Sequence, residues 1–389
     1  MKIVIAPDSF KESLDAASVA KCIENGFREV FTDAEYVALP LADGGEGTVD
    51  VLLQGLSGNK YTTEVMGPLG DTVTAQWAML EPSSSNPKRT ALVEIAAASG
   101  LDLVAPEKRN PMLATSFGTG QLMLEAIEQG AEAIILGLGG SATNDGGAGI
   151  VQALGGKLLD DQGKEIALGG YALSQLTTID LSGLDERLRN IDLTVACDVA
   201  NPLCGENGAS HVFGPQKGAS SKQVQALDSA LQHFASVAMQ QHPSIAKSDT
   251  LEISGYVAAG GTPMGLSLLF VMQLKPGIEM VLDTLNADEV LKGASLVVTG
   301  EGQMDNQTLQ GKTPYGIALR AQEQGIPTIG IAGSLGSEVD ELYSAMGALF
   351  GTVRSPQPLE QVLKEAEINL TRTARNIAAT LKLGSTILN

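Results

Sequence analysis

Aromatic residues make up 4% of the 389 residues, with a single tryptophan. Cores must therefore be filled mainly by Val, Ile, Leu and Ala. Cysteine is scarcer still: Cys22, Cys197 and Cys204 cannot form a complete disulfide set, which excludes a disulfide scaffold and points to a reducing cytosol, so a cytoplasmic protein is expected. Cys197, Cys204 and His211 are evenly spaced, but neither a CxxC pair nor a fourth ligand accompanies them, which argues against zinc. Basic charge is short. The formal net charge of −20 excludes nucleic acid and anionic membrane as partners, because either would need a basic surface. No apolar run approaches the roughly 20 residues of a membrane-spanning helix. MKIVIAPDS has too few apolar residues before Pro7 for a signal peptide and reads as a first strand. The GxSxG elbow is missing, and His211, His233 and His242 lie in no triad-like context, so the usual nucleophilic hydrolases are not supported.

What the chain has in quantity is glycine, 45 residues clustered in short runs between apolar segments. That pattern favours a loop-rich α/β enzyme, and the length accommodates two domains. The richest run is IILGLGGSATNDGGAGIVQALGG, Ile134 to Gly156. It reads as a buried strand, a glycine turn and a helix over about Ala148 to Leu154. Glycines let backbone N–H groups approach an oxyanion, and a helix N-terminus adds partial positive charge. Ser141, Thr143, Asn144 and Asp145 add polar groups at the same turn.

The strand–turn–helix rhythm starts at Ile3 to Ala6, where Ser13 or Asp15 can cap the first helix, and continues with Tyr36 to Leu39. It returns late, with strands at Ser295 to Thr299 before GEGQMDNQT, Thr328 to Ala332 before GSLGS, and Ala348 to Val353. Pro314 is expected at the first position of a helix. Between these ends the texture changes. Lys60 to Met66 and Thr72 to Met79 alternate like antiparallel strands, Ala91 to Ile95 and Leu193 to Cys197 are further strands, and SGYVAAGGTPMGLSLLFVM reads as a glycine turn entering a buried helix. The expected organisation is one parallel-sheet α/β domain built from residues 1–58 and 285–389, with residues 59–284 inserted as a second, mixed α/β domain.

Ligands of open parallel sheets bind outside the carboxyl ends of the strands. The turns expected there carry Asp8, Lys11, Asp43, Glu46, Glu301 and Asp305. The five carboxylates would repel one another unless a cation or substrate lay among them, and Mg²⁺ with a nucleotide supplies one; some of them could equally cap helices. GKT at Gly311 to Thr313 is not a Walker loop, because Asn306 stands where a glycine is required and Pro314 follows at once. GLGGSA with Asp160 fits a dinucleotide fingerprint and leaves that fold open. Phosphoryl transfer asks for a carboxylate to accept the hydroxyl proton, lysines or N–H groups to hold phosphates, and Mg²⁺. The chain offers suitable residues for all three.

APDSFKESLDA, PLADGGEGT, MGPLGD, IAAASGLDLV, ATSFGTGQL, GLGGSATNDGGAG, ACDVANPLCGENGA, VFGPQKGA, TGEGQMDNQTLQGKTPYGIA and IAGSLG follow one another along the chain. Together they resemble the bacterial glycerate kinases of the first type, from about Met1 to about residue 380. Glu12 departs from the pattern at a position where glycine is frequent, and SGYVAAGG replaces a more usual alanine- and glycine-rich turn. The resemblance implies ATP- and Mg²⁺-dependent phosphorylation of D-glycerate, at the 2-hydroxyl, giving 2-phosphoglycerate and ADP. It also implies a flavodoxin-like domain from both chain ends, an inserted α/β domain and an active site in the cleft between them. Partners would be small molecules, with a homodimer left open. In the roles assigned here, Asp198 is the first candidate for general base and Asp8 the second. Lys11 and Lys217 would hold the glycerate carboxylate or the transferring phosphate. Gly139, Gly140, Ser141, Asn144 and Lys312 would bind nucleotide or phosphate, and Asp43, Glu46, Glu301 and Asp305 would include the metal ligands. A dinucleotide-dependent oxidoreductase and a catalytically dead sensor of hydroxy acids remain as other classes.

Overall fold

Ile3, Val4 and Ile5 are fully buried, as they must be in a parallel strand covered on both faces. In the computed structural model, which describes residues 1–45, 47–83, 86–243 and 254–388, strand Lys2–Ile5 is the fourth of five in a sheet. From edge to edge the strands are Ala348–Gly351, Thr328–Leu335, Leu296–Met304, Lys2–Ile5 and Glu35–Ala38, all parallel. Numbered along the chain within this sheet, the order is the 2-1-3-4-5 of flavodoxin-like folds. Helix Ala16–Arg28 lays Val19, Ile23 and Phe27 against this sheet, and helix Ala366–Leu388 adds Leu370, Ala374 and Ile377. Asp15 caps the first helix, its Oδ1 accepting from the Ser18 amide at 2.7 Å.

This sheet belongs to a compact unit made of residues 1–43, 50–56 and 276–389; residues 44–49 and 57–275 form the other. The second unit holds a six-stranded sheet in the order Met272–Lys275, Asp192–Ala196, Ala133–Gly137, Thr90–Glu94, Thr72–Leu80 and Gly58–Met66. The first four strands are parallel, and the last two join as an antiparallel hairpin. Trp77 is fully buried at the hairpin base, stacked on Tyr61 at 4.6 Å with its indole N–H donating to Thr63. The edge strand Met272–Lys275 and the small hairpin of Lys157–Leu159 with Thr178–Asp180 escaped the sequence reading, being too short to show a period.

Two expectations need correction. Glycines in GEGQM and AGSL read as turns, yet both stretches continue their strands, to Met304 and Leu335. The reason is close approach: a Cβ on Gly300 would lie 2.3 Å from the Ile331 carbonyl oxygen, and one on Gly333 2.4 Å from that of Gly302. The glycine turn expected in SGYVAAGG is present, with Ala259, Gly260 and Gly261 all left-handed as they lead into the buried helical residues 262–266. Helix Thr313–Glu323 starts one residue before Pro314.

Gly26 lies inside helix Ala16–Arg28, where a Cβ would meet the Thr371 carbonyl oxygen at 2.3 Å and the Arg375 amide nitrogen at 2.7 Å. Helix propensity alone favours alanine there by about 1 kcal/mol. Overpacking against backbone is the larger effect, so Gly26→Ala is expected to destabilise the protein by roughly 1–3 kcal/mol in chemical denaturation. A more stable variant would mean that the two helices are not in this contact.

Candidate functional site

The glycine turn follows strand Ala133–Gly137 in the larger unit, and its shape is fixed by neighbouring backbone. Gly140 has φ 72°, and a Cβ on Gly137 would lie 2.8 Å from the Gly44 carbonyl oxygen. The Leu101 amide donates to the Gly140 carbonyl at 2.8 Å and the Ala142 amide to that of Ser99 at 2.9 Å, so the SGLDL stretch clamps the turn. Gly139 and Gly140 are exposed, whereas Ser141 to Asp145 are buried.

The helix N-terminus next to this turn does not wait for a ligand anion, contrary to the expectation from sequence. Asp145, fully buried, fills it: Oδ1 accepts from the Gly147 amide at 3.1 Å and Oδ2 from that of Gly149 at 3.3 Å. The same Oδ2 takes the Ser116 amide and hydroxyl, both at 2.8 Å, at the start of helix Phe117–Glu128. One carboxylate thus ties two helix starts together. Asn144 is also fully buried, its amide nitrogen donating to Ser210 Oγ at 2.9 Å while its Oδ1 has no partner among the described residues. Lys217 lies beneath the turn, donating from Nζ to Thr143 O at 2.6 Å and to Ser141 Oγ at 3.0 Å. Burial pulls its ammonium down to about 8, opposed by the charge of Asp145. Asp198 is exposed, two residues beyond the end of strand Asp192–Ala196.

The second constellation belongs to the smaller unit, at the carboxyl ends of Lys2–Ile5 and Leu296–Met304, where the strand order reverses. The Asp8 amide donates to Gly300 O at 2.8 Å, which fixes the carboxylate beside the longer strand. Asp8 Oδ2 accepts from the Thr313 hydroxyl at 2.8 Å and Oδ1 from the Ser9 amide at 2.6 Å. Desolvation raises its pKa, with Asp43 repulsion adding to the rise. Glu301 lies inside the strand and is 8% exposed. Its Oε1 accepts from the Thr308 hydroxyl at 2.7 Å and its Oε2 is 3.8 Å from Lys312 Nζ. Burial raises Glu301 to about 7, with repulsion from Asp8 and Asp305 contributing. Asp305 accepts from the Gln307 amide and from Gln303 Nε2, and Lys11 is exposed.

The predicted residues therefore fall into two sets. Asp8, Lys11, Asp43, Glu301, Asp305 and Lys312 belong to the smaller unit, and Gly139, Gly140, Ser141, Asn144, Asp198 and Lys217 to the larger. Glu46 lies outside the described residues. Among the described residues no three His, Cys, Asp or Glu side chains form a metal cage. Mg²⁺ needs only one or two carboxylates, with phosphate oxygens and water completing its shell, so the crowded, mutually repelling oxygens of Asp8, Asp43 and Glu301 suit it. Asp160 accepts from the Gln162 and Lys164 amides in a surface turn after Lys157–Leu159, outside the parallel sheet, so the dinucleotide fingerprint is not realised. The residues missed as site partners are Ser116, Thr308 and Thr313. Each was visible in a resembling motif, ATSFGTGQL or TGEGQMDNQTLQGKTPYGIA, but nothing local says which carboxylate it bonds.

Removing the Asp145 carboxylate would strand its backbone donors and leave Lys217 without its buried counter-charge. Asp145→Ala is expected to lower stability by roughly 3–5 kcal/mol, read from denaturant unfolding. A loss under 1 kcal/mol would show that the carboxylate is not the tie described here.

The Glycerate kinase family profile matches residues 3–382. The chain is 49% identical to a glycerate 2-kinase of Escherichia coli K12, covering 99% of each sequence. It is 50% identical to a glycerate kinase of Bacillus subtilis 168, covering 100% of this chain and 99% of the relative. A crystal structure from Salmonella typhimurium LT2, described as a glycerate kinase 2, superimposes with a TM-score of 0.88 at 49% identity, over 99% of both chains. This chain belongs to the glycerate kinase family.

Proposed function

We propose that the protein transfers the γ-phosphoryl group of ATP to the 2-hydroxyl of D-glycerate, giving 2-phosphoglycerate and ADP, as a cytoplasmic Mg²⁺-dependent enzyme. The observation that carries this reading is the set of Asp8, Asp43, Glu301 and Lys312 at the switch point of a flavodoxin-like sheet. It combines carboxylates for a magnesium–phosphate complex with a lysine for a phosphate oxygen. The exposed backbone of Gly139 and Gly140 supports the same reading, since bare N–H groups suit an anionic substrate.

Phosphoryl transfer is mostly positioning and charge neutralisation. Bound Mg²⁺ would neutralise charge on the phosphates, with Asp8, Asp43 and Glu301 as its candidate protein ligands. Asp198 is the first candidate to accept the proton of the glycerate hydroxyl, because it is exposed at a strand end and so within reach of a substrate. Asp8 is the second: burial raises its proton affinity, although both its oxygens already accept bonds. Lys11 is exposed for a phosphate or carboxylate, and Lys312 sits at the N-cap of helix Thr313–Glu323.

Phosphorus NMR of purified protein with D-glycerate and Mg-ATP is expected to show a 2-phosphoglycerate resonance growing as ATP is lost. A 3-phosphoglycerate resonance would change the regiochemistry, and no loss of ATP with folded protein would end the glycerate reading. Excess EDTA should abolish turnover, and added Mg²⁺ should restore it. Asp198→Asn is expected to lower kcat by at least about 10²-fold. Turnover within a few-fold of wild type would transfer the base role to Asp8.

A further inference from the structure

Lys217 is 3% exposed, and two of its donors are used inside the protein, on Thr143 O and Ser141 Oγ. An ammonium has no lone pair, so Ser141 Oγ is the acceptor in that bond and its own hydrogen must point elsewhere. Among the described residues no group accepts that hydrogen. The two residues before Ser141, Gly139 and Gly140, are exposed and carry no side chain, so an anionic oxygen can approach over bare backbone. The third ammonium hydrogen is left over, but with Lys217 3% exposed beneath the turn, a ligand arriving over the glycines meets the Ser141 hydroxyl before it meets the ammonium.

We infer that the Ser141 hydroxyl is the donor to an anionic ligand oxygen at this turn, and that Lys217 is a positioning residue that aims and polarises this hydroxyl without touching the ligand. The inference rests on the kinase reading above for the identity of the ligands: the oxygen is a carboxylate oxygen of glycerate or a phosphate oxygen of the nucleotide. The charged group acting on Lys217 from its surroundings is Asp145, on the turn itself. Arg109 packs its backbone on Gly218 and donates from its guanidinium to Gln216 O at 3.4 Å, away from Nζ's own partners. With an ammonium poised near 8, the charge behind Ser141 is present at pH 7 and mostly gone at pH 9.

Calorimetric titration of D-glycerate and of ADP into wild type, Ser141→Ala and Ser141→Thr at pH 7 and pH 9 tests this. For one of the two ligands, wild type should bind about tenfold more weakly at pH 9 than at pH 7, as expected for loss of one proton at about pH 8. Ser141→Ala should bind that ligand about tenfold more weakly at pH 7 and lose the pH dependence, while Ser141→Thr, which keeps the hydroxyl, should restore both. Loss on glycerate identifies the carboxylate and loss on ADP the phosphate. Unchanged binding of both ligands by Ser141→Ala, in an enzyme whose wild type turns over glycerate, overturns the inference and leaves the kinase reading intact. A pH dependence retained in Ser141→Ala overturns it too, since Lys217 would then act directly. Binding of neither ligand by wild type overturns both.

Discussion

The buried carboxylate of Asp145 is the constraint on which the glycine turn of the larger unit depends. A lone charge in that position would cost several kcal/mol, and it is tolerated because backbone amides, the Ser116 hydroxyl and the nearby Lys217 ammonium surround it. Its position at two helix starts means that the partial positive charge usually offered to a ligand is consumed internally. What the turn presents outward is then bare glycine backbone and hydroxyl chemistry.

The smaller unit solves the opposite problem. There, carboxylates are crowded without full compensation: Asp8 and Glu301 are each pushed toward the protonated form by desolvation and by other acids. The hydroxyls of Thr313 and Thr308 and the Lys312 ammonium offset part of that cost. A site left in this state has an electrostatic preference for a cation, which a site with every carboxylate in an ion pair would not have.

Much of this was legible in the residues. Strands and helices with a clear pattern were found to within a residue or two, as at Thr72–Leu80 and Ala148–Ala153. The polar residues at strand ends marked both constellations. Glycine was read less well, because it serves two purposes that look alike in sequence. At Gly140 it supplies a left-handed turn, whereas at Gly300 and Gly333 it makes room for a neighbouring strand, and only the partner strand distinguishes them. Asp145 shows the same limit: its bonds to Ser116 join segments that are distant along the chain. Glu12, where the sequence departs from the resembling motif, has φ 64°, a left-handed conformation that glycine would adopt without strain.

The placement of the first strand has a consequence for how the chain is made. Lys2–Ile5 pairs on one side with Glu35–Ala38 and on the other with Leu296–Met304, so its second neighbour emerges from the ribosome long after it does. All six strands of the larger unit's main sheet lie between these events. The natural order of assembly is therefore inside out, with the inserted unit complete while an N-terminal hydrophobic strand still has one unpaired edge. That edge is a period of exposure in which a folding chaperone has something definite to cover.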